Sequence, residues 1–272
     1  MIRVVSANVN GARAAVRRGG LAWLRAQQPD VLCLQEVRCT DGQLRELLHL
    51  EGFVGWHVAH DVAADKGRAG VAVVTPQPPL AVRHGVGRRE FAGTGRWVEV
   101  DVATSVGVLT AVSAYVPTGE AGTERQELKY RFLEAATRRM AALRRAVVPD
   151  GAGVVVAGDL NVAHREADLR NWRGNLTRSG FLRPERAYLD RWLASSGGYV
   201  DVHRSLAGEG PGPYTWWSWR GKAFDSDSGW RIDYHLASRE LATRAVKATV
   251  GRADSYAERW SDHAALTIDY DL

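Results

Sequence analysis

Short apolar runs recur along the chain, each bounded by Gly, Pro, Asn or Asp. They are Val4-Val5, Val31–Leu34, Val71–Val74, Trp97–Val102, Val106–Val116, Val154–Ala157, Ile232–Leu236 and Ala264–Ile268. Several are rich in valine, whose branched side chain suits a pleated surface, so they read as strands. Helical spacing lies between some of them. Leu44, Leu47 and Leu48 follow Thr40-Asp41, a capping pair. Leu128, Phe132, Ala135, Ala136, Arg139 and Leu143 mark one face of a long helix beginning near Thr123. Pro184 opens another helix, with Tyr188, Leu189, Trp192 and Leu193 apolar. Strands mixed with helices, with hairpin spacing over Glu99–Ser113, predict an α/β sandwich rather than a purely parallel doubly wound sheet.

Composition narrows this picture only slightly. The chain has 272 residues, 45% apolar and 25% charged, and no Pro/Gly/Ser linker divides it. We therefore expect one domain over residues 1–272. No apolar run is long enough to cross a bilayer, and the first residues read as a strand rather than a leader. Cys33 lies inside an apolar run and Cys39 beyond its end, so two isolated thiols make neither a disulfide framework nor a zinc site. These features predict a cytoplasmic monomer with no membrane association. The net charge of +5 favours polyanions, but an arginine-rich composition also follows from codon bias.

The sharper signal is where polar residues stand. Asn8 follows Val4–Ala7, and Glu36 follows Val31–Gln35. Tyr115 sits in Val112–Pro117, Asp159 and Asn161 follow Val154–Gly158, Asp233 sits in Arg231–Tyr234, and Asp262-His263 precede Ala264–Ile268. Taken singly, each has a plainer reading: a Gly-Asp turn, a capping acid, a core phenol. Together they are costly, because a carboxylate beside a core strand must be paired or bound to a metal. Acids repeated at such positions predict one polar site where strands end and loops begin.

Six segments carrying these residues resemble the motif set of exonuclease III and the abasic-site endonucleases. They are Ser6–Gly11, Gln35-Glu36, Tyr115–Pro117, Gly158–His164, Gly229–Tyr234 and Ser261–His263. That family lies in the endonuclease/exonuclease/phosphatase superfamily, which also holds deoxyribonuclease I. The resemblance runs from Ile2 to about Ile268. It implies a deoxyribonuclease I-like four-layer α/β sandwich: two mixed β-sheets packed face to face, helices outside, the site at one rim. The chain departs from the family pattern at Arg38, where Lys is frequent, and at Thr118, where Asn or Gln is frequent.

The resemblance also implies roles. Glu36 is the first choice as a Mg²⁺ ligand, with Mn²⁺ as the alternative ion, and Asn8 and Asp262 bind directly or through water. Asp159, Asn161 and His263 complete the metal set. Asp159 positions and deprotonates the attacking water, and Asn161 holds its geometry. His263 donates to a phosphate oxygen while Asp233 orients it, and Tyr115 serves phosphate or the leaving group. Trp216 and Trp230 match positions that wall a small apolar pocket for a base-free sugar, and strand alternation points Trp216 away from Trp217. Arg178, Arg220 and Lys222 are the expected backbone contacts of duplex DNA bearing abasic sites or 3′ ends. No organic cofactor is expected. Two rivals stand beside this nuclease reading. A superfamily phosphatase acting on a lipid or small phosphoester would share the acidic machinery but need no stacking wall. A catalytically silent DNA-binding relative would have a broken site.

Overall fold

The computed structural model describes residues 1–147 and 151–272. The chain opens with β1 (Ile2–Asn8), α1 (Ala12–Arg17), α2 (Gly20–Ala26), β2 (Val31–Gln35) and α3 (Asp41–Leu50). Strands β3 (His57–Asp61), β4 (Val71–Thr75), β5 (Ala81–His84), β6 (Trp97–Thr104) and β7 (Gly107–Tyr115) follow. Then come α4 (Glu124–Ala146), β8 (Gly153–Asp159), α5 (Arg183–Leu193), β9 (Tyr199–Asp201) and α6 (Val202–Ala207). The last elements are β10 (Asp233–Ser238), α7 (Arg239–Ala242), β11 (Ala245–Gly251) and β12 (Ala265–Tyr270).

Among the described residues the strands form two six-stranded sheets, ordered β11-β12-β1-β2-β4-β3 and β5-β6-β7-β8-β10-β9. The β1–β2 and β7–β8 pairs are parallel and their neighbours antiparallel, so both sheets are mixed. Period-two alternation explains why the apolar runs are continuous rather than alternating. Val4, Cys33, Val71, Val73, Val155 and Ala157 point into a core between the sheets. Their neighbours Val5, Leu32, Leu34, Ala72 and Val74 point outward to pack on α1, α2 and α3. Val154 and Val156 likewise point outward, against α4 and α5. Strands buried on both faces must be apolar throughout. The result is helix, sheet, sheet, helix: the four-layer sandwich that the family resemblance implies.

The predicted helix starts hold. Thr40 caps α3, its side chain accepting from Gln43 N while the Gln43 side chain accepts from Thr40 N. Thr123 caps α4, and Pro184 lies in the first turn of α5. Strands β3, β5, β9 and β11 and helices α1, α2, α6 and α7 were not anticipated. Each is short or lies at a sheet edge, where half-exposed residues break the apolar run. Arg231, next but one to Asp233 in sequence, pairs instead with Asp168 and Asp201, each at 2.7 Å in a buried cluster that also holds Arg204.

Candidate active site

Strand register brings the polar residues together. Tyr115 stands beside Asp159 in the parallel β7–β8 pair, and Asp159 stands opposite Asp233 in the antiparallel β8–β10 pair. In the facing sheet Asn8 pairs with Gln35, and Glu36 follows directly. His263 precedes β12, held beside β1 by the Ser261 hydroxyl, which donates to Asn8 O at 2.7 Å. Both sheets therefore end at one rim, and their terminal side chains meet there. Glu36 (φ +50°) and Asn161 (φ +52°) adopt left-handed backbone conformations that cost an ordinary residue about 1–2 kcal/mol. Local bonds hold these turns: Gly11 N donates to Glu36 O at 2.7 Å, and Asn161 N to Asp159 Oδ1 at 2.8 Å.

Glu36, Asp159 and His263 each present an atom within 4.8 Å of the others. The amide nitrogen of Asn8 bridges the two acids, donating to Glu36 Oε1 at 2.8 Å and Asp159 Oδ2 at 2.9 Å. Its amide oxygen accepts from Asn10 N at 3.0 Å, so in this arrangement Asn8 spaces the carboxylates rather than offering an oxygen to an ion. Asp262 accepts from Asn10 Nδ2 at 2.7 Å and from Trp216 Nε1 at 3.2 Å. His263 Nδ1 donates to Asp233 Oδ2 at 2.9 Å, which leaves Nε2 facing Asp159 Oδ2 at 3.7 Å. Asn161 Nδ2 donates to Val116 O at 2.9 Å, and Arg38 pairs with Glu36.

Electrostatics follow from this crowding. Burial pushes the Asp159 carboxyl above its usual range; the His263 charge opposes this, Asp233 and Glu36 add to the rise, and the Asn161 N–H also lowers it. Burial would depress His263, but Asp233 and Asp159 outweigh it and hold the imidazole cationic above its ordinary range. Tyr115 is held protonated by burial and by the Glu36 and Asp159 charges. A hard divalent cation between Glu36 and Asp159 suits this donor set, because carboxylate oxygens are its preferred ligands and their mutual repulsion would be relieved. His263, protonated and committed to Asp233, is the poorest ligand of the three.

These groups face a cavity of about 360 Å³. Its opposite side is apolar: Trp216 and Trp230 meet edge to face with ring centroids 6.2 Å apart, beside Gly180 and Ile232. Alternation works as expected, since Trp217 is buried and donates to Asp227 Oδ1 at 2.9 Å. Arg178, Arg220 and Lys222 are exposed on loops and do not line the cavity. Sequence reasoning gave no role to Asn10, Arg96 or Lys129. Asn10 orients Asp262, and the Arg96 guanidinium lies 4.8 Å over the Tyr115 ring. Asn10 sat inside a quoted motif, Arg96 carried no signal beyond its charge, and Lys129 was marked only by its spacing to Phe132 and Ala136 on the apolar helix face.

Facing mixed sheets, with acids, an amide and a paired imidazole at their shared rim, have the form of a phosphoester hydrolase. Comparison with known proteins is specific about which kind. Residues 5–263 match the Endonuclease/Exonuclease/phosphatase family, and the chain belongs to it. It is 35% identical over 268 residues to an exodeoxyribonuclease of Bacillus subtilis, covering 98% of both chains. A solved AP endonuclease from Archaeoglobus fulgidus superposes with a TM-score of 0.84 at 27% identity, covering all of both chains. The 3′ phosphatase NExo from Neisseria, solved bound to a product DNA hairpin, superposes at 0.83 with 26% identity, again over both whole chains.

Proposed function

We propose that this chain is a DNA-repair nuclease of the exonuclease III type. It hydrolyses phosphodiesters 5′ to abasic sites and removes nucleotides or blocking groups from 3′ ends of duplex DNA. The observation that carries this reading is a single cavity joining the Glu36–Asp159–His263 cluster to the Trp216/Trp230 wall. A base-free deoxyribose fits such a slot, and a nucleotide with its base is larger than the slot suits. Basic side chains continue outward from it. Arg38 borders both this cavity and a second one of about 330 Å³ lined by Arg13, Lys66 and Arg68, a path suited to a phosphodiester backbone.

A bound Mg²⁺, with Mn²⁺ as substitute, supplies charge neutralisation for the phosphate. Glu36 and Asp159 would hold it, with Asn161 and Asp262 reaching through water. The chain's own groups do the rest. Asp159 aligns the attacking water and takes its proton, and Asn161 fixes the carboxylate by its backbone N–H. His263 presents Nε2 to a phosphate oxygen, its charge and tilt set by Asp233. Tyr115 keeps its proton and donates it as a hydrogen bond to the phosphate or the departing 3′-oxygen. The protein acts as a single-domain monomer in the cytosol. No described helix is long and apolar enough to cross a membrane.

The test is a 5′-labelled duplex with one abasic analogue, incubated with Mg²⁺ or with EDTA. One incision 5′ to the lesion marks the endonuclease, and a ladder from the 3′ end marks the exonuclease. EDTA should abolish both. Turnover of an inositol phosphate with the duplex left intact would overturn the proposal in favour of the phosphatase.

A further inference from the structure

We propose that Lys129 and Glu185 form a positioning pair that fixes the Asn161 turn and couples it to the apolar wall; this rests on the nuclease reading above. Lys129 lies on the inner face of α4 and is fully buried. A buried ammonium is costly unless its protons all find partners. Its Nζ lies 2.6 Å from Glu185 Oε1 and donates to the Asn161 carbonyl at 2.8 Å, with Ser179 Oγ at 3.5 Å. Glu185 is also fully buried and also saturated. It accepts from Gln126 Nε2 at 2.9 Å, Ser179 Oγ at 2.9 Å, Gly180 N at 2.7 Å and Leu182 N at 3.0 Å.

The two residues thus tie together two loops. One is the left-handed turn at Asn161, whose N–H holds Asp159. The other is the Ser179–Leu182 segment that backs the apolar wall, where a Cβ on Gly180 would sit 3.0 Å from the Trp230 ring. Ala163 N donates to Gly180 O at 2.8 Å, closing the link on its far side. Lys129 also borders the cavity itself, beside Asp159 and Trp230. Take away its ammonium and the Asn161 carbonyl, an acceptor, is left facing the Glu185 carboxylate, another acceptor. The turn must then rotate, and Asp159 loses its alignment with the wall that seats the substrate.

The experiment compares Lys129→Met with the double variant Lys129→Met/Glu185→Gln, which leaves neither member of the pair charged. Both are assayed for kcat and KM on an abasic duplex with Mg²⁺, and for thermal unfolding. Misalignment of the reacting groups predicts a kcat about 10- to 100-fold below wild type in both variants, with KM within about threefold. The double variant should recover much of the melting temperature without recovering kcat. A merely structural pair behaves otherwise: kcat per folded molecule stays within about twofold of wild type, or returns together with the melting temperature. Either result overturns the proposal. Should Lys129→Met fail to fold, the double variant alone decides by the same criterion. Wild-type protein that leaves the abasic duplex uncut would sink the nuclease reading, and the positioning role with it.

Discussion

Replacing His235 with leucine should weaken the protein's sensitivity to acid by a measurable amount. His235 lies on β10, on the side opposite Tyr234 and Leu236, which face the helices; its imidazole therefore enters the layer between the sheets and is fully buried. Neither ring nitrogen has a well-formed hydrogen-bond partner, and only the nearby Leu266 backbone works against the effect of burial. Burial pulls its pKa down to about 3. The unfolded chain takes up a proton near pH 6.5 and the folded chain does not until near pH 3. Below 6.5 the unfolded state therefore binds more protons, and stability contributed above that pH is lost as pH falls. At pH 5 the loss from this one residue is about 2 kcal/mol, from about 1.4 kcal/mol per pH unit. That is a large share of the 5–15 kcal/mol typical of a whole domain. Buried His60 and His203, each lowered to about 4, act in the same sense. Asp159, raised in the fold, acts in the opposite sense, so the informative quantity is a difference between proteins. Urea unfolding followed by circular dichroism at pH 7.5, 6 and 5 should show His235→Leu losing about 2 kcal/mol less than wild type across that range. Parallel pH profiles for the two proteins would refute the reasoning.

The remaining expectations concern the site and the rim of the sheet. Asp159→Asn should lower kcat on an abasic duplex by about 10²-fold or more while leaving the melting temperature near wild type, since the amide keeps the shape but not the basicity. Asp233→Asn should cost a similar factor, because His263 Nδ1 loses the charge that holds it cationic; duplex binding measured by fluorescence anisotropy should change little. Trp230→Ala should lower the ratio of abasic-site incision to 3′-end trimming, read as relative kcat/KM, and an unchanged ratio would remove the wall from the argument. Gly158→Ala should destabilise the fold by about 3 kcal/mol or more in urea, because its Cβ would stand 2.0 Å from the Ala114 carbonyl oxygen at φ +142°.

Central strands were legible because burial on both faces leaves no choice but apolar residues, as in Val31–Leu34 and Val154–Ala157. Edge strands were not. In β5, Ala81–His84 alternates between half-buried and exposed positions, and β9 is only Tyr199–Asp201. Helices with a side-chain cap, at Thr40 and Thr123, announced themselves; α1 and α2 begin after Gly11 and Gly19 with no such cap. In the site, Asn8, Glu36, Tyr115, Asp159 and Asp233 could be read because a polar residue at the end of a core strand needs a reason. Lys129 could be read only in part: its spacing to Phe132 and Ala136 puts it on the inner face of α4, but nothing in the sequence names its partner. Only the pairing of α4 with α5 supplies Glu185. Asn8 shows the complementary limit: its place was foreseeable, but which atom faces the acids depends on Asn10 N.

The rim draws Asn8 and Glu36 from one sheet, Tyr115, Asp159 and Asp233 from the other, and His263 from the residues leading into β12. No half of the molecule can therefore assemble the candidate site alone. A chain emerging during synthesis, or one whose sheets have parted, would lack the assembled site. The proposed site is complete only when β12 docks beside β1, so finished folding would itself act as the safety catch.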